Sequence, residues 1–488
     1  MNIPLNIFFL LLVATAFLVG CASTAWSRSR DPLHPVLWFS ALFFVCLVVE
    51  PFMCLRHPDF VRFFPDFRGV WTATTIQYAG MVSLFLGMLS VRGPRFRASE
   101  GQRLDLLAIS DAQRLRLRQF ALVLASLALA AYWYAIFDSG GFFHVYSRGK
   151  GTFRTFSGYQ GEAVNLCLVA TVLYALSVQG KTLTISHVIA ILVIVNPVLL
   201  HGTFGGRRGP LFLAMTTIFF AWHLIRGRLP SVRLILLFAM CCLLAVVFIH
   251  SQRRIVYLGS DQTFDLERFW SGLRNEELTA GDNFVVSTGQ IHVTLETGNY
   301  NFGRTFLTHF IIRPIPRQLW PTKYEDTQRL LYGGGAAEQA FQEAVPFQSW
   351  RRVLGWQPLP GFSINSIVEL FVAFSWPFLI FCWLLGYGVS CLWVNFRCRG
   401  QLWVPIYAIT MALSIYLPTQ TFTAFAHRWL YITVFTLLLS RFIFRTEPKR
   451  KPRRSLLPPP RFSHPVSEKQ SQPHASQVHD SAGKQQVR

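Results

Sequence analysis

The chain has 488 residues, of which 52% are hydrophobic and only 14% charged, and its formal net charge is +22. A soluble domain carries about 25% charged residues, so a water-soluble globular protein is excluded, and the mean hydropathy of +0.36 agrees. The positive excess is spread over the connections between apolar runs, which fits membrane loops and argues against nucleic acid as a partner.

Apolar runs of about 16 to 25 residues recur along the chain, long enough to cross a ~30 Å hydrocarbon core. The sequence reads as an all-α, polytopic integral membrane protein of about eleven transmembrane helices. They fall near 3–20, 36–55, 72–89, 119–137, 162–177, 185–200, 211–225, 234–250, 364–394, 402–417 and 429–444. "LVGC", ending at Cys21, fits a lipoprotein cleavage box, but "MNIPLN" lacks the Lys or Arg of a secretory signal, so 3–20 reads as the first span. The polytopic domain is 1–444 and includes a long outer loop, 251–363, with eleven basic and eleven acidic residues. Its turns and aromatics suggest short helices packed on the membrane surface. The tail, 445–488, is rich in Pro, Ser and Gln, begins "PKRKPRR" just inside it, and reads as disordered with a lipid-contacting start.

Arginine-rich connections mark the cytoplasmic side. Arg92, Arg95, Arg97, Arg103, Arg114, Arg116 and Arg118 lie in 90–118, Arg226, Arg228 and Arg233 in 226–233, and Arg397 and Arg399 in 395–401. Strict alternation then places the N-terminus outside and the C-terminus inside. The nine cysteines all lie in or beside apolar segments and show neither a disulfide framework nor a zinc spacing.

Several outer segments break the positive-inside trend. "YSRGKGTFRTFSGYQG" (146–161) carries Arg148, Lys150 and Arg154, "HGTFGGRRGP" (201–210) carries Arg207 and Arg208, and Arg428 follows "TQTFTAFAH". Any one of them could be a headgroup anchor. Together they suggest an anionic external ligand, since guanidinium grips phosphate bidentately and neighbouring glycines admit its oxygens to the backbone. Arg207 and Arg208 are the first choice for diphosphate contact, then Arg148 and Arg154. Arg313, Arg317 and Lys323, in "RPIPRQLWPTK", form a proline-stiffened surface; salt bridges with Glu325 and Asp326 are the alternative.

Two groups could serve as a general base. Glu369, in "NSIVELF", is a carboxylate near the outer start of a span, where a charge is costly unless it faces a polar cavity. His427, beside Arg428, is its rival. Glu369 is preferred; Glu162 and Asp282 are weaker candidates.

The span pattern, the "GGRRGP" hairpin, the "YSRGKG" loop, and "RPIPRQLWPTK" followed by "SINSIVELFVAFSWP" resemble the bacterial O-antigen polymerase (oligosaccharide repeat unit polymerase) family over about residues 30–445. The resemblance implies a fold related to lipid-dependent membrane glycosyltransferases. It implies metal-independent, cofactor-free joining of undecaprenyl-diphosphate-linked repeat units at the outer face of the bacterial inner membrane. The implied partners are the lipid-linked oligosaccharide, membrane lipids, and a chain-length regulator and flippase of the same pathway. An O-antigen-ligase-like transferase is the first alternative. A flippase is the second, but the sequence shows no internal repeat, and its charges gather at the outer ends of the spans.

Overall fold

The structure is a computed structural model that describes residues 3–93, 109–147, 158–251, 257–260, 278–315, 319–332, 347–359, 362–400 and 402–444, with isolated positions 255 and 267. The regular elements among them are all helical. Seven helices are long and apolar enough to cross a membrane: Leu5–Ser29, Pro35–Arg56, Val70–Ser90, Asp111–Asp138, Ile185–Thr203, Arg208–Arg226 and Phe378–Arg399. Gly161–Ser177, Val232–Cys242 and Trp403–Thr419 are shorter apolar helices. The last described helix is Phe422–Phe444. These helices belong to one compact unit, Met1–Arg445. The polar tail lies outside the described residues.

Small residues let the helices approach. Val70–Ser90 and Phe378–Arg399 cross so closely that a Cβ on Gly87 would fall 2.1 Å from the Trp383 carbonyl oxygen. One on Gly386 would fall 1.9 Å from that of Leu84. Close backbone approach of this kind drives packing where lipid removes the hydrophobic incentive. Pro51 follows a π-helical turn, Val45–Val49. The wider turn absorbs the missing N–H and the clash that a proline ring brings to a helix interior.

The connections meet in two separate groups. In one, Asp31 accepts hydrogen bonds from Trp393 Nε1 at 2.8 Å and from the Leu33 N–H at 3.0 Å. Its carboxylate also pairs with Arg397 at 3.1 Å, both side chains buried. Arg28 donates to the Leu89 carbonyl in the same group, at 3.3 Å. In the other, Glu50 Oε1 accepts from the Phe284 N–H at 3.2 Å, and Asn283 Nδ2 donates to the Pro418 carbonyl at 3.1 Å. The segments read as inner from their arginines fall in the first group, and those read as outer in the second.

Two elements differ from the sequence reading. Apolar 364–394 is not one helix: it breaks into Ser366–Phe374 and Phe378–Arg399. Ser375 sits at φ +53, and Trp376 precedes Pro377, which disfavours the α conformation. The long loop does not simply coat the surface. It sends a helix, Asn283–Thr297, into the core, with every residue from Phe284 to Thr294 buried. Gly289 there lets the fully buried Trp350 ring come so close that a Cβ would fall 2.4 Å from it.

Candidate functional site

The second group of connections encloses a cavity of about 390 Å³. Its charged and titratable lining comprises Glu162, His309, Arg313, Glu369, His427 and Arg428. Gln290, Asn301, Thr305, Gln420, Thr421 and Thr423 add polar groups. Five chain regions supply the walls: the short helix Gly158–Val164, the buried loop helix, the segment from Asn301 to Arg313, the half-helix Ser366–Phe374 with the residues before it, and the start of Phe422–Phe444.

The half-helix is positioned by its cap. Asn365 Oδ1 accepts from the Val368 N–H at 3.0 Å, closing the N-terminus. Its Nδ2 donates to Gln77 Oε1 at 2.8 Å, and its own N–H reaches the Ser287 hydroxyl at 3.3 Å. Three helices are thereby tied at one buried polar node. One turn on, Glu369 is buried, and Thr423 donates to it twice. The Thr423 N–H reaches Oε2 at 2.8 Å and the hydroxyl reaches Oε1 at 2.5 Å. Glu369 thus anchors the beginning of the helix that carries His427, where free backbone donors and the helix dipole favour an anion.

His427 Nδ1 lies 3.3 Å from Glu162 Oε1, both side chains nearly buried. Asn165 Nδ2 donates to the other Glu162 oxygen at 3.0 Å. In its neutral form the ring with this partner keeps its proton on Nδ1 and its lone pair on Nε2. Arg428 reaches Glu162 at 4.0 Å, donates to the Ala424 carbonyl at 2.8 Å, and stacks over Tyr416 at 4.7 Å. Arg313 closes the far side, with Nη1 3.5 Å from His309 Nδ1. Burial, reinforced by the charges of Arg313 and His427, lowers the His309 imidazole to about 4. It is neutral at physiological pH.

The residues singled out in sequence divide as follows. Glu369, His427, Arg313, Arg428 and Glu162 share the cavity. Arg207 and Arg208 do not line it; both are exposed on the adjoining hairpin. That hairpin docks against the cavity wall through Gly209, where a Cβ would fall 2.8 Å from the Tyr416 ring, the ring that Arg428 covers. Burial pushes the Tyr146 phenol up to about 12, against the pull of Tyr132 and the Arg207 charge. Burial also raises the Asp282 carboxyl, against hydrogen bonds from Thr279 and the Arg208 charge.

Lys323 is buried and is not among the residues that line the cavity. Its ammonium donates to the carbonyls of Ile312 at 3.2 Å, Arg313 at 3.0 Å and Ile315. It therefore ties down the end of the π-helical turn Thr308–Ile312 and the segment bearing Arg313. Asp326, weighed as an alternative salt-bridge partner, has other partners: its Oδ2 accepts from Trp320 Nε1 at 2.7 Å and from the Thr322 hydroxyl at 2.6 Å. Arg148, Lys150, Arg154 and Arg317 lie outside the described residues.

Sequence reasoning missed Gln290, Asn301, Thr305, His309 and Thr423. Gln290 carried a legible signal, as a large polar residue inside "NFVVSTGQIHV". Among the described residues, no group of three or more His, Cys, Asp or Glu side chains is placed to hold a metal ion. The chain matches no protein-family model, no curated protein and no solved structure.

The cavity can bind a polar ligand with anionic character. It offers two guanidiniums, a neutral imidazole, and a carboxylate-oriented imidazole whose free nitrogen can take a proton.

Proposed function

We propose that this chain is a glycosyltransferase of the bacterial inner membrane that polymerises oligosaccharide repeat units carried on undecaprenyl diphosphate. The observation that carries this reading is the cavity in which the His427–Glu162 pair sits between Arg313 and Arg428. The seven long apolar helices, the three shorter ones and Phe422–Phe444 then supply eleven crossings. The N-terminus is outside and the tail inside, so the cavity opens towards the outer leaflet, where lipid-linked units arrive.

In this reading an acceptor sugar hydroxyl attacks the anomeric carbon of the donor. The new C–O bond forms as the bond to the lipid diphosphate breaks. The hydroxyl proton passes to His427 Nε2, with Glu162 holding the ring and balancing the imidazolium. Arg313 and Arg428 stabilise charge developing on the departing diphosphate oxygen. Arg207 and Arg208, on the exposed hairpin, are placed to meet the lipid-borne diphosphate as it enters from the membrane surface.

The preference for Glu369 as base gives way to His427 here. Both Glu369 oxygens are engaged by Thr423, and its work is to hold the His427 helix. Deleting the gene and resolving surface polysaccharide on a gel tests the proposal. Loss of long chains with single-unit capping retained is the expected pattern. Loss of both, with lipid-linked polymer accumulating, would assign the chain to ligation instead.

A further inference from the structure

The opposite group of connections contains a second cavity, of about 380 Å³, which the proposed transfer chemistry does not use. Arg28, Ser29, His34, Leu89, Arg92 and Trp393 define it. Arg28 ends the first helix and Arg92 follows the third, so two guanidiniums flank the mouth, both exposed. Arg28 is steadied by its bond to the Leu89 carbonyl at 3.3 Å, which joins the two helices along one wall.

Among the described residues the lining holds no carboxylate. Asp31, buried beside Trp393, is already paired with Arg397 at 3.1 Å and with Trp393 at 2.8 Å. Among the described residues neither Arg28 nor Arg92 forms a salt bridge. Two like charges at one cavity are unfavourable unless an anion joins them.

The floor adds a directed donor. His34 is buried against the Trp393 ring, centroids 4.3 Å apart, and its Nδ1 accepts the Val36 N–H at 3.2 Å. Burial, with Arg28 nearby, lowers this imidazole to about 4, so it is neutral. A neutral ring that accepts at Nδ1 carries its proton on Nε2. The Ser29 hydroxyl already donates to the Ala25 carbonyl at 2.8 Å and accepts from the Asp31 N–H at 3.2 Å, so it completes the wall rather than the donor set. Apolar Ala25, Leu89 and Val91 line the rest.

We infer that this cavity is a binding site for a phosphate-bearing anion, occupied by the headgroup of an anionic phospholipid of the cytoplasmic leaflet. The guanidiniums grip the phosphate oxygens, His34 Nε2–H donates from below, and the apolar wall takes the glycerol end. The site is separate from the transfer cavity and stands whether or not that chemistry is right.

The test is native mass spectrometry of the full chain in neutral detergent, titrated with phosphatidylglycerol, phosphatidylcholine or inorganic phosphate. One phosphatidylglycerol should be retained in preference to phosphatidylcholine. The Arg28→Gln/Arg92→Gln double variant should weaken that retention about tenfold or more, as the loss of two charge-assisted contacts implies. Arg30→Gln removes an equal charge outside the cavity and should leave it unchanged. The melting temperature of each variant confirms that it is folded. Equal retention by wild type and the double variant, or an equal loss in Arg30→Gln, would overturn the site. Displacement of the lipid by millimolar inorganic phosphate would overturn the lipid assignment and leave a soluble phosphate as the occupant.

Discussion

His427 and Glu369 sit in the same cavity with different obligations, and substitution separates them. His427→Gln removes the proton acceptor while Glu162 keeps an amide partner. Activity should fall about 10²-fold or more at an unchanged melting temperature. Glu369→Gln keeps both contacts only if the Thr423 hydroxyl turns to accept from the new NH₂, and it removes the anion from the start of the helix. Melting temperature and activity should fall together, by about 1 kcal/mol of stability for a charge lost at a helix N-terminus. A Glu369→Gln protein that is fully stable but inactive would return the base to Glu369. Lys323→Met leaves three carbonyls without their ammonium. It should destabilise the Arg313 segment by about 2–3 kcal/mol in thermal melts, with a smaller loss of activity. His34 and His309 give the pH dependence. Both are held neutral to about 4 in the fold, whereas an unfolded histidine titrates near 6.5. The unfolded chain therefore binds more protons between these values. Stability is full above about pH 6.5 and is lost as pH falls towards about 4. Thermal midpoints measured across that window should drop with acid, and less steeply in His309→Asn. An unchanged slope in that variant would show that His309 does not contribute.

Among the elements, those set by apolar run length were legible in the sequence, and those set by tertiary packing were not. The long apolar helices between Leu5–Ser29 and Arg208–Arg226 follow from hydropathy alone. The break at Ser375 had two readable signs, a 31-residue apolar stretch too long for one crossing and the Trp376–Pro377 step. Asn283–Thr297 had almost none. Its Val, Thr and Ile content is poor for an isolated helix, and burial against Trp350 and the half-helix overrides that propensity. Gln290 was legible only as a polar residue in an apolar stretch, without the helix that carries it to the cavity, while Glu369 and His427 were readable because charge at a span end is costly. Helix crossing is testable at the glycines. Gly386→Leu should abolish accumulation of folded protein, because Leu84 backbone occupies the space a side chain needs. Gly388→Leu, where nothing lies within 4 Å, should accumulate normally. Equal accumulation of the two would contradict the close crossing of Val70–Ser90 and Phe378–Arg399.

For the whole molecule, charge and chemistry separate into two ends. One group of connections holds the Asp31–Arg397 pair and the Arg28–Arg92 cavity; the other holds the His427–Glu162 cavity. A reading from arginine counts places the first in the cytoplasm. Single cysteines at 208 and 228, in a cysteine-free background, check it. The first should react with an impermeant reagent applied from outside and the second should not; the reverse pattern would invert the molecule and leave the proposed transfer cavity facing the wrong leaflet. The most direct measurement is extension of undecaprenyl-diphosphate-linked repeat units by the purified full-length protein in lipid, with products resolved by length. If the cavity joins these units through His427, the wild-type protein converts them to a ladder of longer lipid-linked chains, and folded His427→Gln leaves them as single units. No ladder from the stable wild-type protein supplied with its own organism's repeat unit, or an undiminished ladder from His427→Gln, would contradict it.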